Sequence, residues 1–145
     1  MKIGIGSDHR GYLKKQKVIK ILKQLGYNVT DYGTNSEESV DYPDFAFKVS
    51  EDVRDNKIQF GVLICANGIG MAIASNKVNK IRCAKVSNVA EAKHSRIDND
   101  CNVIAIGSDL SIIKIKKILT TFFNTKFNNE ERFVRRIKKV DNYEH

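Results

Sequence analysis

Short apolar runs alternate with longer segments whose apolar residues recur at helical spacing, from one end of the chain to the other. "KIGIGS" (2–7) is a strand pattern that opens into a polar turn. Over residues 12–25, Val18, Ile21, Leu22 and Leu25 follow the i, i+3, i+4, i+7 rule of a single helix face, and Gly26 supplies a stop. "YNVTDYG" (27–33) reads as a second strand. The polar loop after it leads to Pro43, the only proline, where a helix over 44–55 can begin. "FGVLIC" (60–65) is continuously apolar, as a strand is when both faces of its sheet are covered. A helix over 68–77, the strand "IRCAKV" (81–86), a helix over 88–97 and the strand "NVIAIG" (102–107) follow. Ile112, Ile115, Leu119 and Phe122 then mark a long amphipathic helix. A last helix, over about 129–140, turns Phe133, Ile137 and Val140 to one side.

Strands alternating with helices predict an α/β fold: a three-layer, doubly wound, five-stranded parallel sheet of Rossmann-like form with a C-terminal helix. No repeat, low-complexity tract or linker interrupts the pattern, so residues 1–145 read as one domain. Ligands of such folds lie beyond the carboxyl ends of the strands. That directs attention to Ser7-Asp8-His9, Gly33-Thr34, Cys65 to Gly70, Ser87-Asn88 and the segment from Gly107 onward.

Composition narrows the classes. The opening "MKIGIGSDHRG" lacks an apolar core of the kind that directs export, and no run approaches the roughly 20 apolar residues of a membrane span. The chain therefore reads as cytoplasmic. Its three cysteines, Cys65, Cys83 and Cys101, form no CxxC pair, and an odd count without an export signal predicts reduced thiols rather than a disulfide frame or a zinc site. A net charge of +8 invites a nucleic-acid reading. The lysines are spread over several helices, Trp is absent and no nucleic-acid motif occurs, so a small anionic substrate is the expected partner.

Two glycine-bearing turns resemble nucleotide sites and fail as such. Gly4 and Gly6 precede His9 where a third glycine belongs, and Gly68 and Gly70 precede Ile73. The loop after Cys65 still has the physics of an anion site, because backbone N–H groups and a helix start converge there. From this segment alone Cys65 is either a reactive group, its thiol acidified by the helix start, or a buried small hydrophobe that closes a strand. Asp8 and His9 are either a helix cap and a surface residue or ligands at the first strand end. Arg132 and Arg136 share a helix face, either as a solvated charged surface or as a phosphate grip. His94 and His145 carry no signal alone.

Taken in order, "GSDHRGYLKK", "DYGTNSEESVDYPDFA", "GVLICANGIGMAIASNK", "IRCAKV" and "NDCNVIAIGS" resemble the type B ribose-5-phosphate isomerases, in the family that includes galactose-6-phosphate isomerase subunits. The resemblance covers nearly the whole chain. It implies a homodimer or dimer of dimers whose active sites are shared between subunits, and aldose–ketose isomerisation of a phosphorylated sugar without metal or organic cofactor. It implies Cys65 as the base that moves a proton through an enediolate, with the Ala66, Asn67, Gly68, Ile69 and Gly70 backbone as the oxyanion cradle. Asp8, His9 and Asn99 match sugar contacts, and Arg132 and Arg136 match phosphate contacts.

The chain departs from that pattern at four positions. Asn67 replaces a threonine, Phe133 a frequent histidine, Asp98 the ring-opening histidine, and Asp109 a third phosphate-binding arginine. Either Asp98 is itself the acid–base group, or His9 or His94 takes over, or the substrate has changed or activity has been lost.

Overall fold

A computed structural model describes residues 1–144, so His145 lies outside the described residues. The strands β1 (Lys2–Ser7), β2 (Asn28–Asp31), β3 (Phe60–Cys65), β4 (Cys83–Lys85) and β5 (Val103–Gly107) form one sheet of order β2-β1-β3-β5-β4. Every neighbouring pair is parallel, as the alternating pattern predicts. The two edge strands are shorter than their apolar runs suggest. Each has a partner on one side only, so its ladder stops where that partner's register ends.

Strand residues alternate between two cores. Ile3, Ile5, Val62, Ile64, Ile104 and Ile106 face one layer, built from α1 (Tyr12–Gln24), α4 (Val89–Ile97) and α5 (Ile112–Asn124). Leu63, Cys65, Val103 and Ala105 face the other, built from α2 (Tyr42–Arg54) and α3 (Ile69–Ser75). With both faces covered, the central strands are buried throughout, which is why their sequences show no polar alternation. Helix α2 begins two residues before its predicted start, placing Pro43 in the first turn, where its missing N–H costs no hydrogen bond. The buried spine of α1 is Lys15, Val18 and Leu22, and Leu25 is exposed. No helix among the described residues is long and apolar enough to cross a membrane.

Helix α6 (Glu131–Asp141) buries no residue. Arg82, just before β4, holds it through Nη1, which lies 2.9 and 2.8 Å from the two carboxylate oxygens of Asp141. The predicted apolar side is therefore only partly served. Ile137 and Val140 line a cavity of about 470 Å³ between α6 and the start of β4, and Val140 remains 62% exposed.

Close approach of α1 to β3 explains the glycine that ends "SDHRG". A Cβ on Gly11 would stand 2.6 Å from the carbonyl oxygen of Ile64. Gly11→Ala is expected to push the start of α1 off the sheet and cost about 1–3 kcal/mol. Urea unfolding checks this, and a midpoint equal to that of the natural chain would contradict the packing.

Candidate active site

The chain runs outward from β1 through α1 to β2, then crosses back through α2 to β3 on the other side of β1. That reversal leaves a crevice above the carboxyl ends of β1 and β3, where doubly wound folds hold their ligands. Ser7 is level with Ile64, so Asp8 and Cys65 emerge side by side. The Cys65 side chain points to the α2–α3 layer and is 5% exposed.

The following turn is shaped by Gly68, whose φ of +83° brings its N–H back to within 3.2 Å of Cys65 Sγ. Any Cβ at Gly68 would also lie 3.1–3.3 Å from the β5 backbone at Ala105 and Ile106, so both torsion and space require glycine. The Ile69 N–H donates to Asn67 Oδ1 at 3.0 Å. Two N–H groups of the expected cradle are thus already engaged, one orienting the sulfur and one closing the turn. The N–H groups of Gly70 and Met71 open the first turn of α3 and have no carbonyl to reach within the helix.

Asp8 is 6% exposed, and its Oδ1 accepts the N–H groups of Arg10 and Gly11, each at 3.0 Å. It closes the turn ahead of α1, whose N-cap is Gly11, and its Oδ2 makes no protein hydrogen bond among the described residues. His9 is half-buried rather than a free surface residue, and its Nδ1 accepts the Val40 N–H at 3.2 Å. A ring nitrogen that accepts carries no proton, so the ring is the neutral tautomer with its proton on Nε2. Val40 belongs to the loop after β2, which also delivers Tyr42. The Tyr42 ring covers Gly70 so closely that a Cβ there would fall 2.8–3.1 Å from it.

The remaining predicted site residues gather elsewhere. The Asn99 carbonyl accepts Arg82 Nε at 3.0 Å, and Asn99 and Arg136 line the cavity under α6. The Arg132 and Arg136 guanidinium carbons lie 4.9 and 5.9 Å from the centre of the Phe133 ring. Asp98 follows α4, with Oδ2 3.3 Å from His94 Nδ1. Asp98 and Asn99 precede β5, and the cavity that Asn99 and Arg136 line opens at the amino end of β4. Cys83 and Gly61 are both level with Val103, and Cys65 lies four residues further along β3, about 13 Å away. Within one chain, then, Asp8, His9 and Cys65 to Gly70 come together, whereas Asn99 and Arg136 share the cavity under α6, and Asp98 and Arg132 join neither set.

A family model described as Ribose/Galactose Isomerase matches residues 3–140. The chain belongs to that family. It is 37% identical over 139 residues to a Rickettsia conorii protein named no more finely than sugar phosphate isomerase, covering 95% of this chain and 96% of the relative. It is 33% identical over 147 residues to the D-erythrulose-4-phosphate isomerase of Pectobacterium atrosepticum, covering 100% and 96%. Among solved structures, ribose-5-phosphate isomerase B of Clostridium thermocellum superposes with a TM-score of 0.94 at 42% identity, covering 97% of this chain and 95% of the other.

Membership in the ribose/galactose isomerase family sharpens what the site's departures mean. Asp109 stands against the Cys65 loop: a Cβ on Gly107 would run into its carboxylate while lying 3.1 Å from Asn67 Cα and 3.2 Å from the Ala66 carbonyl. One residue on, the Leu110 carbonyl accepts Lys14 Nζ at 2.8 Å, so a cation sits close to Asp109. Tyr42 and Lys14 escaped the sequence reading because neither strand-end position nor helical spacing marks them. The motif "DYPD" was the available signal for Tyr42, since a helix start beside a strand end must cap the crevice.

The three thiols differ in their surroundings. Burial pushes Cys83 far above the usual thiol range, and burial pushes Cys101 up to about 11. A thiol with a pKa of about 11 is ionised to roughly one part in a thousand at pH 8, and it becomes reactive only as the pH rises through that value. Iodoacetamide at pH 8 is therefore expected to label Cys65 first, read by peptide mass spectrometry. Equal labelling of Cys83 or Cys101 in the folded protein would contradict this assignment.

Proposed function

We propose that this chain is a sugar-phosphate aldose–ketose isomerase that interconverts ribose 5-phosphate and ribulose 5-phosphate. The observation that carries the reading is the Cys65 sulfur, held 3.2 Å from the Gly68 N–H beside Asp8 and His9 at the crevice between β1 and β3. In the open-chain aldose, Cys65 as thiolate removes the proton from C2. The electron pair of that C–H bond forms the C1–C2 double bond, and the carbonyl oxygen at C1 becomes an oxyanion. Free N–H groups at the start of α3 and the Asn67 amide stabilise that charge. The same thiol returns the proton to C1 while the hydroxyl proton of C2 is transferred to the C1 oxygen, giving the ketose. No electron leaves the substrate, so the reaction calls for no external oxidant or reductant.

The sugar's far end requires the residues that lie away from Cys65, and a second copy of the chain supplies them in a homodimer or dimer of dimers. Two features support this. Ile69 and Ile73 lie one turn apart on α3 beside the crevice and are 51% and 58% exposed, and α6 has no fully buried residue in its own chain. In the shared site Arg132 and Arg136 hold the phosphate, Asn99 a hydroxyl, and Asp98 with His94 opens the sugar ring. Lys14 offsets the carboxylate of Asp109. That carboxylate also favours a second reading, in which the substrate is a different aldose phosphate whose hydroxyl pattern meets Asp109.

Incubation in D₂O followed by NMR tests the chemistry. Ribose 5-phosphate is expected to gain deuterium at C2, with at least a thousandfold loss in Cys65→Ala, the scale on which a proton-transfer residue contributes to rate. No exchange with any aldose phosphate at high protein concentration would overturn both readings. Subunit mixing tests the sharing. Cys65→Ala and Arg136→Ala homodimers are each expected to be nearly inactive. After denaturation and refolding together, mixed dimers regain one intact site, so activity returns to roughly a quarter of the natural level. Failure to regain activity would place both residues in one chain's site.

A further inference from the structure

Lys15 is among the largest fully buried side chains of the described residues, and the chemistry above makes no use of it. Its Nζ lies 2.7 Å from both carboxylate oxygens of Asp31, at the end of β2, and 5.5 Å from the centre of the Tyr12 ring. Burying the Lys15 ammonium costs desolvation that its contact with Asp31, whose side chain stays 35% exposed, largely offsets, so such a pair contributes little net stability. What it does contribute is a fixed position for Asp31. The same carboxylate accepts the Gly33 N–H at 2.9 Å.

From Asp31 the contacts run into the crevice. The Gly33 carbonyl accepts the Ser7 N–H, and the Ser7 carbonyl accepts the Thr34 N–H, both at 2.8 Å. The turn after β2 is thereby clamped to the residue just ahead of Asp8 and His9. Further along this loop, Val40 donates to His9 Nδ1, and Tyr42 covers Gly70. The register between β1 and β2 ends at Ile5 and Asp31, and beyond it the Tyr32 N–H still donates to the Ile5 carbonyl at 2.9 Å. The Asp31 carboxylate thus adds a side-chain anchor to the backbone bonds that join this turn to β1.

We propose that Lys15 and Asp31 are positioning residues. Their ion pair, buried at Lys15 and exposed at Asp31, roots the loop of residues 32–41, and that loop fixes the His9 tautomer and the Tyr42 wall of the crevice. The role of His9 in catalysis rests on the isomerase reading; the control of its tautomer does not.

The test uses the full chain with both charges removed, Lys15→Met with Asp31→Leu, so that no unpaired buried charge obscures the result. Circular dichroism and thermal unfolding show whether the variant folds. ¹⁵N NMR of the histidines reports the His9 tautomer, which a purely structural role would leave alone. The natural chain is expected to show a single His9 form with bare Nδ1. The folded double variant is expected to show a mixture of both tautomers, with kcat/KM on ribose 5-phosphate lowered at least tenfold. An unchanged His9 spectrum in the folded double variant overturns the inference. An altered spectrum in a protein without isomerase activity upholds it while removing the proposed function. Lys15→Gln keeps a donor toward Asp31 and covers the case in which the double variant does not fold. It is expected to give a smaller shift in the same direction, and a His9 spectrum identical to that of the natural chain overturns the inference.

Discussion

β1 and β3 end side by side because the chain reverses its direction of winding between them, and the register that sets Ser7 level with Ile64 carries everything above it. That register puts Asp8 and Cys65 at the same height on adjacent strands. The turn after Cys65 must then clear β5 immediately. Gly68 does so with a positive φ, and the torsion that clears β5 also folds its N–H onto the Cys65 sulfur. Packing and chemistry are solved by one residue. The same economy holds at Gly11, whose missing Cβ lets α1 start against the Ile64 carbonyl and keeps Asp8 buried.

The sheet also explains why the candidate site residues of one chain fall apart in space. Helix α4 leaves the carboxyl edge and returns to the amino edge, so Asp98 and Asn99 finish at the end of the molecule away from Cys65. Helix α6 stays with them, tied to Arg82 by Asp141. Helix α6, with no fully buried residue in its own chain, and the exposed isoleucines on α3 are the surfaces that the proposed dimer would cover. In the proposed symmetric pair each copy presents both surfaces.

Strand and helix order was legible in the sequence because every buried strand is a run of apolar residues and each long helix has an apolar stripe. The candidate residues at strand ends were legible for the same reason. Three features were not. Lys15 reads as solvated in a lysine-rich helix, although its spacing to Val18 and Leu22 puts it on the buried spine; its partner Asp31 lies on another strand, and sequence spacing carries no information about that pairing. The engagement of the Gly68 and Ile69 N–H groups depends on torsions that the letters "ANGIG" permit without dictating. The separation of Asp98 from Cys65 follows from the direction of α4, whereas a motif match treats matched residues as though they met.

The central claim is that a phosphorylated sugar lies across two chains with its reacting carbons over Cys65. A crystal structure of the Cys65→Ala variant soaked with ribose 5-phosphate tests it most directly. The expected result places C1 and C2 above residue 65 beside Asn67 and Gly70, with the phosphate between Arg132 and Arg136 of a second copy. A sugar bound away from the crevice, or a phosphate held by the same chain that holds C1, would contradict the account.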